Sequence, residues 1–203
     1  MGRVGENATY EDLMKVPDIM VAELIEGELY AWPRPARPHA RAASRLGMKI
    51  GSAFDIGETG PGGWWIVVEP ELHFVRNVRV PDIAGWKRDR VPEYPDAGKC
   101  EIAPDWACEI LSPSTARVDR VKKLPIYAHA EVPWVWIIDP LEQTLEVKRL
   151  TNGQYPDVAL HAGDEKVRIE PFTDIENDLS IIWGRDPVIP SREDGQASPG
   201  SSG

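Results

Sequence analysis

Two short apolar runs, DWACEIL at residues 105–111 and PWVWIIDP at 133–140, constrain this chain more than any other feature. The second is almost continuously apolar. That is the pattern of a strand buried on both faces, which an interior position in a sheet supplies. The segment between them, TARVDRVKKLPIYAHAE at 115–131, has a helical pattern, and Pro125 within it is expected to bend or divide the helix near Lys123. Strand, helix and strand in that order predict a right-handed crossover joining two strands of one sheet.

The other elements fall around that unit. NATYEDLMKVP (7–17) reads as a short helix capped by Asn7 or Thr9, with Glu11 and Asp12 in its first turn and Pro17 at its end. AELIEGELYAW (22–32) reads as a small hairpin turning at Glu26-Gly27. In residues 37–56, Ala42, Arg45, Leu46, Lys49 and Ile50 recur at helical spacing, and Pro38 suits a first turn. The glycine-rich loop GETGPGG (57–63) lacks the Lys-Ser/Thr pair of a phosphate-binding loop. WWIVVEPELHFV (64–75) and VRVPDIAGW (78–86) read as two strands around a turn at Arg76-Asn77, and 87–104 as an irregular loop. Residues 143–160 read as a hairpin turning at Asn152-Gly153, with a further strand near 166–170. The expected fold class is α/β, of the α+β kind: a mixed sheet flanked by helices, with an added N-terminal hairpin and C-terminal strands. It forms one domain over residues 1–185, and the polar, proline- and serine-rich stretch 186–203 is expected to be a disordered tail.

At 203 residues the chain is long enough for one hydrophobic core. Its formal net charge of −10 argues against binding by blanket phosphate neutralisation. It leaves room for a nucleic-acid enzyme that uses a local basic groove and a metal. Residues 34–49 are locally basic, with Arg34, Arg37, Arg41, Arg45 and Lys49 and no acid. Arg37, Arg41 and Arg45 form one helical stripe, which either guides a nucleic-acid backbone or is a solvated face. Cys100 and Cys108 match no zinc or redox spacing and are expected to be buried or partly buried thiols. No apolar run approaches the roughly 20 residues of a membrane helix, and MGRVGENATYEDL lacks the apolar segment of a secretory signal. A soluble, cytoplasmic protein with no membrane contact is expected.

Two acids interrupt apolar strands near their ends: Asp82 in VRVPDIAGW and Glu109 in DWACEIL. Neighbouring strands lie about 4.8 Å apart, so pairing of these two would bring both carboxylates to one point. Two carboxylates, a backbone carbonyl and waters make an oxygen-rich site for Mg²⁺ or Mn²⁺. The bland alternative is an acid at a strand end that faces solvent or meets an arginine. The SPST stretch (112–115) reads as turn and cap chemistry rather than as a nucleophile.

ELIEGEL, His39, VPDIA and the long stretch EILSPSTARVDRVKKLPIYAHAEVPWVWIIDP together resemble the Uma2 family, over roughly residues 9–170. That family belongs to the PD-(D/E)xK nuclease superfamily, so the resemblance implies a restriction-endonuclease-like mixed sheet and a metal-dependent nuclease. It puts the motif's Asp on Asp82 and its Glu on Glu109, with metal held by those two and by the Ile110 backbone carbonyl. The superfamily's lysine, two residues after the Glu, falls on Leu111, a departure from the parent pattern. Uma2-like sequences resemble one another in supplying a lysine from the next helix, and Asp119, Lys123 and Tyr127 match that spacing. Lys123 is thereby the implied catalytic lysine, and Lys122, turned about 100° away on a helix, an ordinary surface residue. Glu23 and His39 are secondary candidates, Glu23 for metal with Glu28 as its competitor, and His39 for phosphate contact, proton relay or simple capping.

The expectation is thus a Mg- or Mn-dependent endonuclease acting on DNA. The alternative is a non-catalytic binding or assembly module on a nuclease fold, expected as a homodimer. For that, some of the eight tryptophans, among them Trp64, Trp65, Trp134 and Trp136, would supply an interface rather than core.

Overall fold

The computed structural model describes residues 2–33, 37–95 and 98–184. Arg34 and the stretch 186–203, with the tail expected there, lie outside the described residues. In chain order the elements are β1 (Arg3–Gly5), α1 (Tyr10–Leu13), β2 (Met20–Ile25), β3 (Glu28–Pro33) and α2 (Arg37–Ile50), the last continuing as a wider π turn over Gly51–Ile56. Then follow β4 (Trp64–Val68), β5 (Leu72–Phe74), β6 (Asn77–Arg79), β7 (Ile83–Lys87) and β8 (Trp106–Ile110). Next come α3 (Ala116–Val118), a π turn (Asp119–Lys123), α4 (Leu124–His129), β9 (Trp134–Asp139), β10 (Thr144–Arg149), β11 (Asp157–Ala162), β12 (Lys166–Ile169), β13 (Phe172–Asp178) and α5 (Leu179–Ile182).

The main sheet has six strands in the order β11-β10-β9-β8-β7-β4. β8 and β9 pair in parallel, Trp106 beside Trp134 through Ile110 beside Ile138, joined by the helical segment as the two apolar runs predict. β8 is interior and buried along its whole length. Its Trp106, Cys108 and Ile110 face one core with α2, where Trp64, Trp106, Trp136 and Phe54 surround Phe172. Its Ala107, and Leu111 just beyond it, face a second core with Tyr127 of α4. Most tryptophans therefore serve as core: Trp32, Trp64, Trp86, Trp106 and Trp136 are all buried.

A second sheet orders β1-β3-β2-β6-β5. Its hairpin turns at Glu26 (φ 52°) and Gly27 (φ 81°), the left-handed pair that a two-residue hairpin with the right twist demands. α1 covers one face through Leu13, Leu24, Leu29 and Val78. Ile25, Tyr30 and Trp32 cover the other, against Ile126 of α4. α4 is thus gripped between the sheets.

The structure corrects the reading of residues 64–86 as two strands. β4 pairs with β7 in the main sheet, and β5 with β6 in the second. The ribbon is one hairpin folded at Glu69-Pro70 on one arm and Pro81-Asp82 on the other, with Glu69 N–H bonded to Asp82 O at 3.0 Å across the fold. Each proline lacks the N–H that a sheet ladder needs, so the ladder breaks where they stand. At Pro125 the helical segment changes type near Lys123, as expected: a π turn over Asp119–Lys123 gives way to α4 at Leu124. The chain passes through the proline after that widening, which relieves the missing hydrogen bond and the ring clash one turn upstream. β1, β13 and α5 were not foreseen.

Candidate active site

The fold in the ribbon puts Asp82 at the seam between the sheets. β7 and β8 pair antiparallel with Ile83 beside Cys108, so the same register carried one step further sets Asp82 opposite Glu109. Both line a cavity of about 50 Å³, together with Glu23, Trp32, His39, Ser112, Thr115, Asp119 and Lys123. Strand pairing thus brings both carboxylates to one cavity.

Each acid has defined partners. Asp82 Oδ2 accepts from the Ile110 backbone N–H at 2.7 Å, and its Oδ1 lies 2.9 Å from His39 Nε2. Glu109 Oε2 accepts from Lys123 Nζ at 2.8 Å, and Oε1 from the Tyr127 hydroxyl at 2.5 Å. Lys123 Nζ also lies 2.8 Å from Asp119 Oδ1 and 3.3 Å from Glu23 Oε2. Glu23 in turn accepts from the Val80 N–H at 2.8 Å and from Arg79 Nη2 at 3.3 Å. Local structure explains these positions. Glu23 shares a face of β2 with Ile25, turned towards α4. Asp119, Lys123 and Tyr127 project inward from one helical face at spacings of four.

Burial governs the electrostatics. Glu109 is 2% exposed, and burial pushes its carboxyl up to about 8 against the pull of Lys123, with Asp119, Glu23 and Asp82 adding to the rise. For Lys123, burial opposes the charged form, yet Asp119, Glu109 and Glu23 together hold the ammonium well above the ordinary lysine range. Burial, then Glu109, keep the Tyr127 phenol protonated well above its usual value, so it donates.

The sequence-derived residues separate clearly. Asp82, Glu109, Lys123, Glu23 and His39 come together. Glu28 does not: it bonds Arg3 and Lys122, and Tyr30, away from the cavity. Lys122 is accordingly a partner of Glu28 and of the Tyr30 ring face. Ile110 lines the cavity, while Leu111, where the parent pattern has lysine, is buried in the second core. Arg37, Arg41 and Arg45 do not line the cavity; α2 offers it His39 instead. Arg79, Asp119 and Trp32 enter the site or its support without having been singled out for it. For Arg79 the available signal was Glu23, an acid in an apolar strand that needs a buried cation.

A twofold assembly of sheets with a carboxylate–lysine centre at their seam is a nuclease-like fold. The comparisons agree. The family model described as "Putative restriction endonuclease", Uma2, matches residues 8–181, and the chain belongs to that family. Among solved structures, the fold is similar to that of a putative nuclease belonging to DUF820 from Anabaena variabilis ATCC 29413, at 25% identity and a TM-score of 0.69, covering 87% of this chain and 97% of that one. No curated protein matches. No helix among the described residues is long and apolar enough to cross a membrane.

Proposed function

We propose that this protein is a cytoplasmic, metal-dependent endonuclease that hydrolyses phosphodiester bonds in DNA, with Asp82, Glu109 and Lys123 at its centre. The observation that carries the reading is Lys123 Nζ at 2.8 Å from Glu109, on the wall of the cavity that Asp82 also lines. The helix thereby supplies a cation where β8 has Leu111.

The donor set suits a metal. Four carboxylates, Glu23, Asp82, Glu109 and Asp119, face two cations, Lys123 and Arg79, so once Glu109 ionises two negative charges stand uncompensated in a largely buried cluster. Such an excess is costly away from water. Hard oxygen donors match Mg²⁺ or Mn²⁺, and Asp82, Glu109 and the Ile110 carbonyl would hold the ion. When bound, it polarises a phosphoryl oxygen and lowers the pKa of a water.

The chain's own residues do the remainder. Lys123 neutralises charge that builds on the phosphoryl group. Tyr127 and Lys123 fix the two oxygens of Glu109, so its carboxylate cannot rotate. His39, oriented by Asp82, contacts phosphate or carries a proton away. Glu23 holds Lys123 from the second sheet. Arg37, Arg41 and Arg45 have only a distant part, guiding the backbone outside the cavity. The products are 3′-hydroxyl and 5′-phosphate ends.

Calorimetric titration of Mg²⁺ and Mn²⁺ into wild type and Asp82→Ala, followed by cleavage assays on double- and single-stranded DNA, tests this. Binding lost in the variant, with metal-dependent nicking by wild type only, is the expected result. Unchanged cleavage by both Asp82→Ala and Glu109→Gln sinks the assignment. The absence of an in-strand lysine favours a second reading, a homodimeric binding or assembly module; no specific metal binding in either protein, with a dimeric mass by light scattering, would select it.

A further inference from the structure

Trp32 lines the cavity but has no part in the proposed reaction. It lies on β3, is 3% exposed, and is among the residues that line the cavity with Asp82, Glu109 and Lys123. Its indole Nε1 is buried with no hydrogen-bond partner among the described residues. A buried donor without an acceptor is costly, and each native instance asks for a reason.

Trp106 also has an unpartnered indole nitrogen, but its ring sits edge-on to Trp136 (79°) and Phe172 (86°), an arrangement that turns ring edges towards aromatic faces. Trp32 has no such outlet. It stacks nearly parallel on Tyr30, at 5.5 Å and 15°, so its edge points past the neighbouring ring. Stacking and burial need only an aromatic ring, and phenylalanine would supply them without the donor.

Resting on the nuclease reading, we infer that the Trp32 indole N–H is a substrate contact, donating to a non-bridging oxygen of the phosphodiester in the cavity. The surroundings favour that acceptor. At about 50 Å³ the space holds a few waters or a phosphoryl group and is too small for a nucleobase. The Ser112 and Thr115 hydroxyls, 3.1 Å from one another, line the same cavity as further neutral donors. A neutral N–H aids an anion in an acid-rich pocket without adding a cation that the carboxylates would capture. Selecting for phosphate, it complements the metal rather than competing with it.

The test uses the whole protein, with ¹⁵N-labelled tryptophan and Mg²⁺ present. Loss of one indole N–H resonance in Trp32→Phe identifies Trp32, and unchanged positions of the other indoles report that the fold is kept. Adding inorganic phosphate should move the Trp32 resonance saturably, with no shift from Mg²⁺ alone. In cleavage, Trp32→Phe should lower kcat/KM by about tenfold, the size of one lost hydrogen bond. An internal water as the sole partner predicts an unmoved resonance, which overturns the inference. A protein that cleaves DNA while Trp32 ignores phosphate and Trp32→Phe cleaves as wild type loses this inference and keeps the nuclease reading. A Trp32 that responds to phosphate in a protein that cleaves nothing keeps the inference and loses that reading.

Discussion

Three carboxylates meet at Lys123 Nζ: Glu109 and Asp119 at 2.8 Å and Glu23 at 3.3 Å. Removing the ammonium leaves Arg79, on Glu23, as the one cation paired with them among the described residues. Lys123→Met should therefore destabilise the protein by about 3–5 kcal/mol, because breaking a buried pair strands its partners. Tyr127→Phe removes one hydrogen bond to the same cluster and should cost about 1.5–3 kcal/mol. Urea unfolding in chelator would rank the two. The Glu109 carboxyl, raised from 4.5 to about 8, adds a pH signature. Between those values the folded chain holds a proton that the unfolded chain has released. This group therefore lowers stability as pH rises across that window. Glu109→Gln cannot ionise and should lose that slope, so the stability difference between it and wild type should change between pH 5 and 8. Asp82 and Glu109 were legible because an acid inside an apolar strand is an anomaly at the level of single residues. Arg79 and Trp32 were not: their significance lies in what three-dimensional packing leaves around them, and neither breaks its own local pattern.

Gly85 sits in β7 between tryptophans. A Cβ there would lie 3.0 Å from Ile66 Cδ1, 3.2 Å from the Trp64 ring and 3.3 Å from the Trp106 ring. Gly85→Ala should cost about 1–3 kcal/mol by overpacking, readable as a lower urea midpoint at unchanged slope. At the other end of the chain, Thr9 and Asp12 form a reciprocal capping box on α1. The Thr9 backbone N–H, then Lys15 and the Thr9 hydroxyl, hold the Asp12 carboxyl down from 3.8 to about 2. Its contribution is complete above the unfolded value and fades as pH falls from about 4 through about 2. The stability gap between wild type and Asp12→Asn should close over that range. Elements with a strong local signature were readable in advance: the crossover, the Glu26-Gly27 and Asn152-Gly153 turns, and the capped first helix. The folded ribbon reads as two strands because the apolar pattern of each arm runs on through Pro70 and Pro81, whereas these mark where one hairpin passes between sheets. α5 is only four residues long, and β13, though seven residues long, alternates weakly; only the core they close gives them a reason.

Over the whole molecule, the C-terminal hairpin β12–β13 functions as a lid on the main core. Phe172 is fully buried, with ring centroids 4.6 Å from Phe54, 4.8 Å from Trp64 and Trp106, and 5.7 Å from Trp136. Phe172→Ala should cost about 3–5 kcal/mol, and calorimetry should register it as a lower Tm for the entire domain. The site lies on the opposite side of the main sheet from this lid, so metal affinity at low temperature should change little.

Lys123 draws Glu23 from one sheet and Glu109 from the other to a single nitrogen, with Asp82 at the crease between them. No sheet on its own owns the centre. A nascent or partly unfolded chain, with either layer undocked, has acids and a lysine but no assembled site. On the proposed nuclease reading, cleavage cannot begin until both sheets are docked, so folding itself acts as the safety catch.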